Sequence, residues 1–290
     1  MIGPCQVLQT PAITALPDLR RICESPRFQP GQAPRILPTA LGLDRDLPEQ
    51  GLAFGRVHEW LGLLPPVTDG GEQTSHWKKA WSPPLTFLIH LARAALGVAD
   101  NTQSRIVWIA RPGGAGSSLR PYAPALGAGS ADTSRPNLLA SSLFVSASSA
   151  PERLWAADLA LRSRAAIAVI ADGSGFDLSA TRRLQLAAEA SGVLCLITRP
   201  AYEQSVLSAS TTRWLVRTCP SPAFSSTSPN LSPTLTRRWT VALLRCKGMQ
   251  PSPEAPRLWT LEHDHATRAF AVVSDLRDRS HQTQTLRLTG

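Results

Sequence analysis

Four short, almost unbroken apolar runs, at 105–110, 143–147, 165–171 and 193–198, alternate along the chain with longer stretches in which apolar residues recur every three or four positions. The runs RIVWIA, LFVSA, AAIAVIA and VLCLIT are short and β-rich, which predicts strands covered on both faces. Between them the helical period predicts helices over 84–96, 151–162 and 181–191. The first starts at Pro84, carries Leu85, Leu88, Ile89, Ala92, Ala95 and Leu96 on one face, and stops at Gly97. The second has Ser149 and Glu152 at capping-box spacing and Leu154, Ala157 and Leu161 on its buried stripe. Arg162 and Arg164 sit at its end, where the helix dipole favours a cation. Gly192 closes the third. Further strand-like runs lie at 56–61, 212–218, 238–244, 257–261 and 269–274. This alternation implies an α/β fold with a mostly parallel sheet flanked by helices.

Prolines and polar tracts divide the chain. Residues 1–34 form an N-terminal arm with one short helix expected at 18–24, between Pro17 and Pro26. A core follows over 35–250, broken by a Pro/Gly/Trp insert at 65–83 and a Ser/Pro-rich flexible loop at 220–233. Residues 251–290 hold two more strands and a polar tail. No internal repeat is present. With 290 residues, 43% of them apolar, the chain can bury a full core as one α/β domain of about 200 residues, which excludes a disordered protein.

Charge narrows the partners without choosing between them. The chain carries +9, and from Arg199 to Gly290 twelve basic residues face six acidic ones, so +6 of that excess lies in the last third. A polyanion or an acidic protein is the expected ligand of that region. Arg237, Arg238, Arg245 and Lys247, around one predicted strand, are the candidate contacts for single-stranded DNA or an acidic partner. The five scattered cysteines include no C-x-x-C pair and fit reduced thiols of a cytoplasmic protein. The first residues lack a basic segment followed by an apolar one, and no stretch reaches 18 uninterrupted apolar residues. Neither export nor membrane insertion is expected.

The run at 56–61 followed by Gly62 reads as the entry to a phosphate loop. A G-x-x-x-x-G-K-[ST] loop from Gly62 needs Gly, Lys and Ser/Thr at 67, 68 and 69, and the chain has Val67, Thr68 and Asp69. The backbone cradle, the phosphate lysine and the magnesium-binding hydroxyl are therefore missing, and no cofactor is expected.

In this order of elements the chain resembles the RecA-like recombinase core, and within it the ImuA-type (once SulA-like) accessory proteins of bacterial SOS mutagenesis. The residues that carry the likeness include Leu37-Pro-Thr39, Gly55-Arg56-Val57, RPYAPAL at 120–126, ERLWAADLALRS at 152–163, AVIAD at 168–172 and RRLQLAAEA at 182–190. They span about 35–250. Against an active recombinase, Arg111-Pro112 stands where an acidic catalytic residue would follow its strand, and Arg199 where a glutamine would. Only Asp172 survives, a strand-end carboxylate that in an active enzyme could hold Mg²⁺. Without a phosphate to serve, a hydrogen bond to its own next turn is the favoured role. The resemblance implies a non-catalytic adaptor that links RecA, an ImuB-type Y-family polymerase-like protein and, indirectly, an error-prone replicative-type polymerase. A nucleotide- or ssDNA-binding ATPase with a displaced loop, and a cell-division inhibitor, are the alternatives.

Gly113-Gly-Ala-Gly116 could form an anion nest, but no helix start or lysine follows, so a loop is expected. Lys78 and Lys79 between Trp77 and Trp81 could stack on nucleic acid, although packing of the insert on the core is favoured. His263 and His265 would share a strand face, yet two ligands are not a metal site and a surface position is expected. In the tail, Leu286 and Leu288 flank Arg287 and could add to a partner's sheet edge; a frayed terminus is the plainer expectation.

Overall fold

The computed structural model describes residues 34–64, 81–99, 104–112, 119–127, 137–219, 237–249, 257–264 and 268–273. The predicted arm, most of the insert, the 220–233 loop and the tail with Leu286, Arg287 and Leu288 lie outside them. Every predicted strand inside them is present. These are β3 (Val57–Leu64), β4 (Arg105–Ala110), β5 (Ser142–Ser146), β6 (Ala166–Asp172), β7 (Leu194–Arg199), β8 (Thr212–Cys219), β9 (Arg237–Cys246), β10 (Arg257–His263) and β11 (Phe270–Val272). They form one sheet in the order β11-β10-β9-β8-β3-β7-β6-β4-β5. From β8 to β5 all neighbours are parallel, and β9, β10 and β11 extend the β8 side antiparallel. The short strands β1 (Ile36–Leu37) and β2 (Leu52–Ala53) pair separately. This mostly parallel, helix-flanked sheet is consistent with a RecA-like core.

Helix α1 (Leu85–Gly97) covers one face, against Trp60, Trp108, Ile170, Leu196, Trp214 and Trp239. Helices α3 (Ala150–Ser163) and α4 (Leu178–Ser191) cover the other, against Val57, Val107, Val169 and Cys195. Residues of both parities are thus buried, which is why the central strands read as unbroken apolar runs. A single turn, α2 (Ala123–Gly127), lies between β4 and β5. The capping box of α3 forms: Ser149 Oγ accepts from the Glu152 amide and the Glu152 carboxylate accepts from the Ser149 amide. Helix α4 starts three residues before its predicted start because Asp177 caps it, accepting from the Ala180 amide at 2.7 Å, and Gly192 ends it at φ 72°. No helix among the described residues is long and apolar enough to cross a membrane.

Three expectations are corrected. Strand β5 is an edge strand, with Leu143 and Phe144 55% and 38% exposed, because an apolar run does not distinguish the middle of a sheet from its border. His263 is buried against Trp239 and Phe270 rather than on the surface, since β10 turns that residue into the aromatic core; His265 lies outside the described residues. The strand does not stop before Gly62 but runs through it to Leu64. A Cβ at Gly62 would fall close against the Ser82 carbonyl and 2.9 Å from the Trp81 ring, so close approach of the 81–82 segment requires the glycine there.

The central strand β3 carries a buried histidine. His58 is buried, its Nε2–H donates to the Ala53 carbonyl at 3.0 Å, and its Nδ1 accepts from the Thr212 hydroxyl at 2.9 Å, which itself accepts from Trp214. Burial pushes its pKa down to about 4. The unfolded chain therefore takes up this proton first as pH falls, so the contribution of His58 to stability is full above about 6.5 and declines by roughly 1.4 kcal/mol per pH unit until about pH 4. Urea melts at pH 7 and pH 5 check this: His58→Gln should flatten that part of the profile, and an unchanged slope would count against it.

Candidate functional site at the carboxyl ends of the parallel strands

In open α/β sheets ligands bind beyond the carboxyl ends of the strands. Here that rim is filled by the chain's own charges. Asp172, the last residue of β6, is fully buried: its Oδ1 accepts from the Ser174 amide at 2.9 Å and hydroxyl at 2.6 Å, and its Oδ2 accepts from Arg111 Nε at 2.8 Å. Arg111, the residue that follows β4, thus fills one oxygen of the Asp172 carboxylate with its own guanidinium. Arg153 on α3 is 3% exposed and donates to the carbonyls of Asp172, Ser148 and Ser174 at 2.8–2.9 Å. Burial lowers its guanidinium pKa below the ordinary value while Asp172 draws it back up.

A second set of charges adjoins the first. Glu59 in β3 is fully buried, and it accepts from Arg213 Nε and Ser208 Oγ at 2.5 Å and lies 3.3 Å from Arg199 Nη1. Arg199, at the end of β7, is also fully buried; it reaches Glu203 at 2.7 Å and donates to the Phe176 carbonyl at 2.7 Å. Glu203 in turn accepts from the Gly175 amide at 3.0 Å. The turn 173–176, which follows Asp172, is therefore held by Arg153, Glu203 and Arg199 at three successive residues. Both arginines that depart from the recombinase pattern, Arg111 and Arg199, thus serve internal ion pairs. Among the described residues the buried Arg111 Nη2 and Thr198 Oγ1 have no hydrogen-bond partner.

Glu59, Arg153, Ser208 and Arg213 were not anticipated. One signal was available in the case of Glu59: a carboxylate inside the apolar run VHEWLG requires a buried cation. Cys195 in β7 is a core thiol whose pKa burial pushes up to about 12, so it is no nucleophile.

The basic residues of β9 do not form one cluster. Arg237 and Arg238 stand at its start, lining a cavity of about 200 Å³ with Leu85 and Trp239, and Arg238 pairs with Glu262 at 2.9 Å. Arg245 lies seven residues on, about 23 Å away along a strand, and donates to the Ser208 and Ser210 carbonyls. Lys247 beside it is exposed, with its pKa lowered by partial burial and by Arg245. Gly113 to Gly116, Lys78, Lys79 and Trp77 lie outside the described residues.

No family model matches the chain. Protein ImuA of Caulobacter vibrioides strain NA1000 / CB15N is 28% identical over 254 residues, covering 81% of this chain and 87% of that protein. Protein ImuA of strain ATCC 19089 / CIP 103742 / CB 15 matches to the same extent. The chain is ImuA-like. The match takes in most of both proteins, so it is a likeness of the whole core and not of one motif. In this ImuA-like chain the arginines at 111 and 199 are both engaged in internal ion pairs.

Proposed function

We propose that this protein is a non-catalytic, RecA-like adaptor of damage-induced translesion DNA synthesis, bridging RecA and an ImuB-type polymerase-like protein. The observation that carries the reading is the Arg111–Asp172 ion pair at 2.8 Å. Asp172, the strand-end carboxylate placed to serve a nucleotide-bound metal, is instead paired with an arginine and clamped to its own turn by Ser174. A chain without the phosphate lysine at 68, with its strand-end carboxylate so engaged, has surfaces and not chemistry to offer. The likeness to ImuA proteins supports this pathway, and the excess of basic residues after Arg199 agrees with work beside nucleic acid.

Binding of the purified chain to RecA, with and without single-stranded DNA, and to an ImuB-type protein tests this. Association with both at micromolar concentration is the expected result, together with no saturable ATP binding. Failure to bind either protein overturns the adaptor reading, and ATP binding abolished by Asp172→Ala would replace it with an ATPase.

A further inference from the structure

We infer that the outer face of α3 and α4 is a docking surface for an acidic amphipathic helix of a partner protein. The inference rests on the adaptor reading for the expectation that such a partner exists. Trp155 and Leu159 lie one turn apart on α3 and are 62% and 53% exposed; Leu186 on α4 is 56% exposed. Isolated apolar residues on a surface are ordinary, but these three stand on the outward faces of two neighbouring helices. The two helices run in the same direction over the same sheet face, and Arg183 of α4 bonds Asp158 of α3 at 2.8 Å. That bond sets residue 158 beside 183, so Leu159 and Leu186 come to nearly the same level on adjacent helices, with Trp155 one turn below. An exposed tryptophan on a rigid helix, with leucines around it, has the make-up of an interface anchor.

Charge chooses the occupant. Around the three apolar residues stand Arg162, Arg182 and Arg183, all exposed, against Asp158, which Arg162 and Arg183 share. Glu152, one turn before Trp155, is engaged in its own capping box. The patch is therefore apolar with a cationic border. A second copy of the chain would bring those arginines against their own kind, so self-pairing is disfavoured. A helix with leucines at i, i+3, i+4 and i+7 and carboxylates at its flanks would lie in the furrow between α3 and α4 with both components matched.

The full chain is titrated into two fluorescein-labelled peptides of about 20 residues, identical in their leucine stripe and carrying either Glu or Lys elsewhere. Fluorescence anisotropy should show micromolar binding of the Glu peptide and at least about tenfold weaker binding of the Lys peptide. Trp155→Ala with Leu159→Ala and Leu186→Ala should weaken the Glu peptide by about tenfold or more and leave the thermal midpoint in place, because the replaced side chains are exposed. Absence of binding, equal binding of both peptides, or equal binding by the triple variant overturns the inference. So does a dimer, or binding to labelled single-stranded DNA, that the triple variant abolishes. The same variant is then tested on RecA and the ImuB-type protein. If the parent chain binds them and the variant binds equally well, this surface is wrong and the adaptor reading stands; if the parent binds neither, the adaptor reading fails whatever the peptides do.

Discussion

Glu59→Ala should destabilise the fold by roughly 3–5 kcal/mol, the cost of leaving a buried ion network without its shared carboxylate. Glu59 is fully buried, as is Arg199, and Arg213 is 7% exposed. Removing the carboxylate leaves Arg199 with Glu203 as its only remaining carboxylate partner and Arg213 with backbone carbonyls. Replacing the set with apolar residues of similar volume, Glu59→Leu with Arg199→Met and Arg213→Met, should recover much of the loss, since the desolvation of three charges is removed along with their attraction. Urea unfolding midpoints of the single and triple variants decide the matter. A Glu59→Ala protein within about 1 kcal/mol of the parent would mean that the network contributes little to stability.

The contrast between what the sequence disclosed and what it hid has a physical basis. Central strands such as β4 and β6 were legible because both of their faces are dry, which leaves no polar alternation to misread. Strand β5 carries the apolar run Leu143-Phe-Val145 and still sits on the border, because it pairs with β4 on one side only. Helix ends that rely on local partners, Ser149 with Glu152 or Gly192 at positive φ, could be read from spacing alone. The rim could not. Glu59 meets Arg199 and Arg213 across 140 and 154 residues, and Arg111 meets Asp172 across 61, so each partner is known only once the strands are in order. Asp172 is legible from its place at a strand end, whereas nothing local in the sequence marks Arg111 as its partner. Gly62 was noticed for the phosphate loop it would open, whereas the structure gives it a different reason, the passage of Trp81 and Ser82 across β3. The apolar face carrying Trp155 and Leu159 had no signal either, because the stripe that defines a helix records what it buries and not what it leaves outside.

The second large effect concerns the aromatic cluster that fastens the C-terminal strands to the core. Phe87 on α1 stacks on Trp60 at 5.9 Å, meets Trp239 edge-on at 5.4 Å, and lies 4.9 Å from Phe270. One side chain thus touches the central parallel strand β3, the antiparallel β9 and the last strand β11. Phe87→Ala removes a fully buried ring together with three aromatic pairs, and the surrounding tryptophans are too large to close the space, so a loss of roughly 3–5 kcal/mol is expected. Its distribution is the sharper test. Amide exchange should quicken most in 257–264 and 268–273, whose link to α1 runs through Phe270 and Trp239, and least in β4 and β5 at the opposite border. If exchange in β10 and β11 stays unchanged while the whole chain melts earlier, the C-terminal strands are held by their ladder to β9 and by the bonds of Arg257 and Trp259 to Asp46. If they loosen first, the aromatic cluster is what fixes Arg238, paired to Glu262 across β9 and β10, at its place on the molecule.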